Sequence, residues 1–173
     1  MEEIILVNDS DNEIGFSEKL KAHKENKLHR AFSVFVFNSE NELLLQKRHS
    51  EKYHSGGLWT NTCCSHPRKN EYVFDAAKRR LFEEMGVKCD LKEVGKFHYQ
   101  VKLEDSLWEN EIDHVFIGKY DGRIDVHDKE VEDHKCISLD DLYKDIRENP
   151  NKYTYWFKKA LEKFDFKKIV QEL

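Results

Sequence analysis

Cys64, His66, Glu109 and Glu111 place a thiol, an imidazole and two carboxylates in two short segments, Asn61-Thr62-Cys63-Cys64-Ser65-His66-Pro67 and Trp108-Glu109-Asn110-Glu111. A thiol and a carboxylate can pass protons, and imidazole with carboxylate binds divalent cations, so the set is suited to proton transfer beside a metal. Side chains alternate faces along an extended strand. Cys64 and His66 therefore point one way on the first segment, and Glu109 and Glu111 do so on the second. Cys63 then points away, into packing.

Single residues carry less. A lone cysteine is usually a small buried hydrophobe, and a lone histidine is usually a satisfied or solvent-facing side chain. That plain reading is given to His49, His54, His98, His114, His127 and His134.

The chain that must position these groups has 173 residues, which suits one domain over 1–173 with one core. Its net charge of -5 and pI near 6.0 argue against nucleic acid or an anionic membrane as a partner. A small phosphorylated molecule fits better. Charged residues make up 36% of the chain, yet aromatics, Leu, Ile and Val run throughout, which marks a folded chain. The start, Met1-Glu2-Glu3-Ile4-Ile5-Leu6-Val7, is acidic with one short apolar run, unlike a signal peptide or a membrane span. A cytoplasmic monomer is expected. Cys63, Cys64, Cys89 and Cys136 form no CxxC pair and are expected to stay free in a reducing compartment.

Periodicity supplies the elements. Residues 31–37 and 43–47 read as a hairpin around Asn38-Ser39-Glu40-Asn41-Glu42, followed by a loop over 49–60 containing Gly56-Gly57. Pro67 ends the Cys64 strand. Phe74, Ala77, Leu81 and Met85 recur at helical spacing in 72–85, with Gly86 as the C-cap. Residues 94–103 and 109–120 read as paired strands, with a turn at Asp121-Gly122-Arg123. Ser138 is expected to cap a short helix over 139–147. A last amphipathic helix is expected through Trp156, Phe157, Leu161 and Phe164 towards Val170. The pattern is α/β (α+β), a mixed sheet flanked by helices.

The helix over 72–85 carries a second signal. Arg79-Arg80-Leu81-Phe82-Glu83-Glu84-Met85-Gly86-Val87, with Glu71 upstream, resembles the Nudix box. Ser65 stands where that box has its first Gly, and Arg80 where it has its first helix Glu. Nudix hydrolases use the clustered glutamates to hold Mg2+ on a diphosphate, and a guanidinium among them disfavours hydrolysis.

One branch of the superfamily departs in this way, the type I isopentenyl-diphosphate delta-isomerases, which this chain resembles from about Asn8 to the C-terminal helix. Their NxxCxHP motif appears as Asn61 to Pro67, their ExE strand as Glu109-Asn110-Glu111, and their paired histidines as His23 and His29. The resemblance implies a Nudix-like fold and interconversion of isopentenyl and dimethylallyl diphosphate by adding one proton and removing another. It implies a centre of His23, His29, His66, Glu109 and Glu111 for Mn2+, Zn2+ or Mg2+. Glu111 would donate a proton and Cys64 would take one from the opposite face. Tyr99 would relay a proton, and Trp156 would present a π face to the carbocation. Lys19, Arg48, Lys52 and Arg80 would bind the diphosphate, with Glu84 holding its Mg2+. Arg80 and Glu84 are also spaced for a simple i,i+4 pair. A diphosphate-cleaving Nudix hydrolase is the alternative activity, and a non-catalytic domain built on Cys63, Cys64 and His66 as metal ligands is a third reading.

Overall fold

Strand alternation sorts this sequence onto the two faces of one mixed sheet. The computed structural model describes residues 2–173. Its strands are β1 (Glu3–Val7), β2 (Glu13–Glu18), β3 (His29–Phe37), β4 (Leu43–Arg48), β5 (Trp59–Thr60), β6 (Cys63–Ser65), β7 (Leu91–Lys102), β8 (Trp108–Lys119) and β9 (Val131–Ile137). The helices are α1 (Lys19–Lys24), α2 (Val73–Met85), α3 (Leu139–Glu148), α4 (Tyr155–Lys163) and α5 (Phe166–Gln171).

β3 is the hub. It runs parallel to β8 over its whole length, from His29 opposite Glu111 to Phe37 opposite Lys119. It pairs antiparallel with β6, where Ser33 faces Cys64, and touches β4 at Phe37 and Leu43 alone. The expected hairpin over 31–47 is therefore mainly a turn, and each arm finds its main partner elsewhere: β8 for β3, β9 for β4. β7 and β8 form the expected antiparallel pair, but β7 begins at Leu91, before the predicted 94.

On β3 the even positions Phe32, Val34 and Val36 join Cys63, Ala76, Ala77, Leu81, Met85 and Phe116 in a core beneath α2. The odd positions Phe35 and Phe37 join Val115, Ile117, Tyr99, Trp156, Phe157 and Phe166 in a second core beneath α3, α4 and α5. The sheet thus lies between two helical layers. α2 ends where expected, with Gly86 left-handed at φ 67 and its N–H donated to Phe82 O at 2.9 Å. Ser138 caps α3, accepting from Asp141 N at 3.2 Å.

The single last helix expected through Trp156 towards Val170 is two. Phe164 is extended at φ -122, ψ 135, and Asp165 restarts the chain by accepting from Lys168 N at 3.1 Å. Packing explains the break. Phe164 stands edge-on to Phe97 and fills the space above Gly95, where a Cβ would meet its ring at 2.8 Å. Phe166 then stacks on Phe35 with centroids 4.3 Å apart. A continuous helix would separate neither aromatic this way. β2 and β9 were not apparent in the sequence; β9 exposes most of its side chains and lacks alternation.

Asp11 ties the N-terminal hairpin to the sheet. It takes the left-handed conformation at φ 61 between β1 and β2 and accepts from Arg30 Nε on β3 and Lys96 Nζ on β7, both at 2.8 Å. Burial works to raise its carboxyl pKa, but the hydrogen bonds from Lys96 and Arg30 outweigh it and hold the group below 3.8. A depressed folded pKa means that Asp11 contributes its full stability above the unfolded value and loses it as pH falls through the folded one. Asp11→Asn tolerates the same backbone conformation and is expected to cost about 1–2 kcal/mol near pH 7. Denaturant melts at falling pH should show the gap between wild type and variant closing below about pH 4; a gap that persists there would contradict this account.

Candidate active site

The face of the sheet that carries the second core changes character at one end. Moving along β8, Ile117 and Val115 give way to Asp113, Glu111 and Glu109, all odd positions on the same face. Along β3, Phe37 and Phe35 give way to Ser33 and His29, and on β6 Cys64 lies on this side while Cys63 packs under α2. The alternation expected for Cys64, His66, Glu109 and Glu111 holds. A cavity of about 440 Å³, counting its open mouth, is lined by Lys19, Arg48, Lys52, His54, Cys64, His66, Arg80, Glu84, Tyr99, Glu109, Glu111 and Trp156 among others.

At its floor His29 Nε2 and His66 Nε2 approach to 3.3 Å, and Glu111 Oε1 lies 3.2 and 2.8 Å from them. His23, carried by the short α1, brings a ring nitrogen into the same group, in which the four ligand atoms all lie within 4.8 Å. Two outer nitrogens are anchored, His23 Nδ1 donating to Lys19 O and His29 Nδ1 to Lys27 O, each at 2.8 Å, while His66 Nδ1 is buried without a partner. These bonds fix the tautomer so that Nε2 presents its lone pair inward, as backbone carbonyls do behind metal-bound imidazoles. His23 Nε2 is buried without a partner. Burial, with a smaller push from His29, lowers the His23 pKa to about 4, and burial lowers His66 to about 3. Imidazoles aimed at a carboxylate in a buried pocket are the donor set of a divalent cation.

Glu109 stands apart from that group. Its Oε1 is 3.1 Å from His54 Nε2, and with His23 these form a second group that could hold an ion. His54, given the plain reading of a satisfied or solvent-facing side chain, is the satisfied kind and lines the cavity: it is 7% exposed, stacks against His23 and stands edge-on to Trp156. Its loop has no periodicity to reveal this, and its only signal was a position two residues after Lys52. The Tyr99 hydroxyl joins the two carboxylates, 2.6 Å from Glu111 Oε2 and 2.8 Å from Glu109 Oε2. A phenol has one hydrogen to give, so the three groups share their protons. Burial and the neighbouring Glu111 charge raise the Glu109 pKa well above the carboxylate range. At Glu111 burial also acts upward, but His66 and His29 overcome it and hold that group well below the range.

Cys64 faces the same cavity with Arg48 Nη1 4.0 Å from its sulfur. Burial pushes its thiol up to about 12, against the Arg48 charge. Arg48 also lies over the Trp156 ring, 5.2 Å from its centroid. Lys19, Arg48, Lys52 and Arg80 all reach the cavity, as expected of them, but two are engaged by an anion the sequence did not reveal. Glu130 pairs with Lys52 and lies 3.6 Å from Arg80. Arg80 also binds Glu83 at 2.9 Å and pairs with Glu84, whose second oxygen accepts from Gln46 Nε2 at 2.9 Å. The Arg80–Glu84 pair is therefore no surface pair, since Glu84 is buried. Glu71 is support, binding Arg79 at 2.7 and 2.9 Å. No helix among the described residues is long and apolar enough to cross a membrane.

Comparison with known proteins bears on this arrangement. The NUDIX domain model matches residues 27–157. Isopentenyl-diphosphate Delta-isomerase 2 of Aromatoleum aromaticum is 49% identical over 162 residues, covering 94% of this chain and 86% of that protein. Isopentenyl-diphosphate Delta-isomerase 2 of Photorhabdus laumondii is 48% identical over 172 residues, covering 99% and 97%. Among solved structures, a Deinococcus radiodurans protein superposes with a TM-score of 0.72 at 17% identity, over 86% of this chain and 90% of that one. The MutT protein of Methanosarcina mazei does so with 0.66 at 17%, over 82% and 95%. These structures share the fold.

Proposed function

This chain belongs to the isopentenyl-diphosphate Delta-isomerases of the NUDIX family and interconverts isopentenyl and dimethylallyl diphosphate; on that premise we propose which of its residues do so. The observation that carries the assignment is the meeting of Cys64, the Tyr99–Glu111 pair and Trp156 in one cavity that four cations also line.

Lys19, Arg48, Lys52 and Arg80 hold the substrate's diphosphate through charge-assisted contacts. This directs the five-carbon chain inward, between Cys64 and Glu111. The Tyr99–Glu111 pair gives a proton to the terminal alkene carbon, and Cys64 removes one from the allylic carbon on the other side. In the reverse direction the two exchange roles. The tertiary carbocation between these steps needs a site that excludes water and offsets charge, and the Trp156 ring, which already carries the Arg48 guanidinium, offers a π face for it.

The residues at the floor fit a divalent cation, judged by the unpartnered His23 Nε2 and the inward-facing lone pair of His29, whose Nδ1 is likewise tied to a carbonyl. His23, His29, His66, Glu111 and Glu109 would hold it, and imidazole-rich ligation suits Zn2+ or Mn2+ better than Mg2+. Bound there, the ion would draw charge from Glu111 and strengthen the acid. A Mg2+ accompanying the diphosphate would be received at Glu84, beside Arg80. The same Arg80, paired with Glu83 and Glu84 where a hydrolase has another carboxylate, supports isomerisation over cleavage. The chain acts as a monomer in the cytoplasm on this reading.

Incubation with isopentenyl diphosphate, Mg2+ and Zn2+ in D2O tests it. Proton and phosphorus NMR are expected to show deuterated dimethylallyl diphosphate with its diphosphate intact. Release of inorganic phosphate without allylic product would sink the proposal.

A further inference from the structure

Four cations facing one cavity repel one another, and they are held unevenly. Arg80, on α2, is braced by Glu83 at 2.9 Å and by Glu84, one helical turn on, whose other oxygen is fixed by Gln46. Arg48 ends β4 and lies over Trp156, and Lys19 opens α1. Lys52 has no such scaffold. It stands on the loop between β4 and β5, and a long lysine stem is costly in entropy to hold still.

Among the described residues the carboxylate paired with Lys52 is that of Glu130, in the turn that leads into β9. The main chain of Glu130 is fixed twice. Its N–H donates to His127 O at 2.8 Å, and its C=O accepts at 3.0 Å from the N–H of His49, the first residue of the Lys52 loop. The side chain then gives one oxygen to Lys52 and brings the other to 3.6 Å from Arg80. Lys52 and Arg80 line the cavity and Glu130 does not, so it meets them from outside the wall and an entering anion need not displace it. Burial acts to raise the Glu130 pKa, but the hydrogen bond from Lys52 outweighs it and holds the group below the ordinary carboxylate value.

We propose that Glu130 is a positioning residue for the substrate's diphosphate: it fixes the Lys52 ammonium beside the Arg80 guanidinium, so that both meet one anion, and latches the loop over 49–58 to the start of β9. Because Arg80 is braced separately by Glu83 and Glu84, the effect of Glu130 runs mainly through Lys52. This rests on the reading of the cavity as a diphosphate site, and the test separates the two.

The full chain is titrated calorimetrically with inorganic pyrophosphate in the presence of Mg2+, and turnover of isopentenyl diphosphate is followed in parallel. Glu130→Gln keeps the shape and removes the charge. Its Kd for pyrophosphate and its KM are expected to rise about 3–10-fold with kcat unchanged, the pattern of a lost binding contact, and with thermal unfolding showing that it remains folded. Lys52→Ala is expected to weaken pyrophosphate on its own, and adding Glu130→Gln to it should change the affinity little. Additive losses would mean that Glu130 does not act through Lys52 and would overturn the assignment. Tighter binding in Glu130→Gln would make the carboxylate a competitor of the substrate, and a loss confined to kcat would place its effect elsewhere; either overturns it too. Unchanged binding in Glu130→Gln beside a weakened Lys52→Ala would leave the diphosphate site standing and remove Glu130 from it. Binding that Lys52→Ala leaves untouched would remove Lys52 from the diphosphate site, and the role of Glu130 with it.

Discussion

Cys64→Ala is expected to lower isomerase turnover by about 10³-fold or more, the scale of losing one of two proton-transfer groups. The protein should otherwise change little. Cys64 lies in neither group of candidate metal ligands, so metal content should stay at the wild-type level. Removing one sulfur from a partly buried site should cost no more than about 1 kcal/mol of stability. Turnover in D2O, bound metal and a denaturant melt on the same preparation check all three. A variant that kept a tenth of wild-type turnover would remove Cys64 from the mechanism. A variant that lost metal with activity would instead make the thiol a ligand.

Glu111→Gln should differ in kind. Glu111 Oε1 sits between His29 and His66, and Oε2 meets Tyr99, so the carboxylate serves both the metal group and the proton path. The amide keeps the volume but neither ionises nor binds metal well. Turnover is expected to fall by about 10³-fold or more and metal affinity by at least about 10-fold. Raising the metal concentration until the variant is saturated should leave turnover low, because the acid is still missing. Full recovery on saturation would reduce Glu111 to a ligand.

The contrast between these substitutions shows what was legible in the sequence. The site on the sheet was readable because alternation is a local property: knowing that Cys64, His66, Glu109 and Glu111 lie on strands fixes which way they point. α2 was readable because its period and Gly86 agree. What stayed hidden depends on contacts distant in sequence. Nothing near residue 54 says that its imidazole will meet Glu109, and nothing near residue 130 says that its carboxylate will meet Lys52 and Arg80. The break at Phe164 is of the same kind, since it answers to Gly95 and Phe97 on another element.

The parallel pairing of β3 with β8 has a consequence for how the site can open. His29, Ser33 and Glu111 stand on strands whose ladder runs unbroken through the middle of the sheet, so they can be exposed only by an event close to global unfolding. Lys52 and His54 stand on a loop held by turn bonds such as Lys52 N–H to His49 O and Gly57 N–H to Arg48 O. That loop belongs to the low-energy end of the opening spectrum. Substrate entry and product exit can thus be served by excursions of this loop and its Lys52, while Arg48 on β4, Arg80 on α2 and the groups that handle the proton keep their alignment from one turnover to the next.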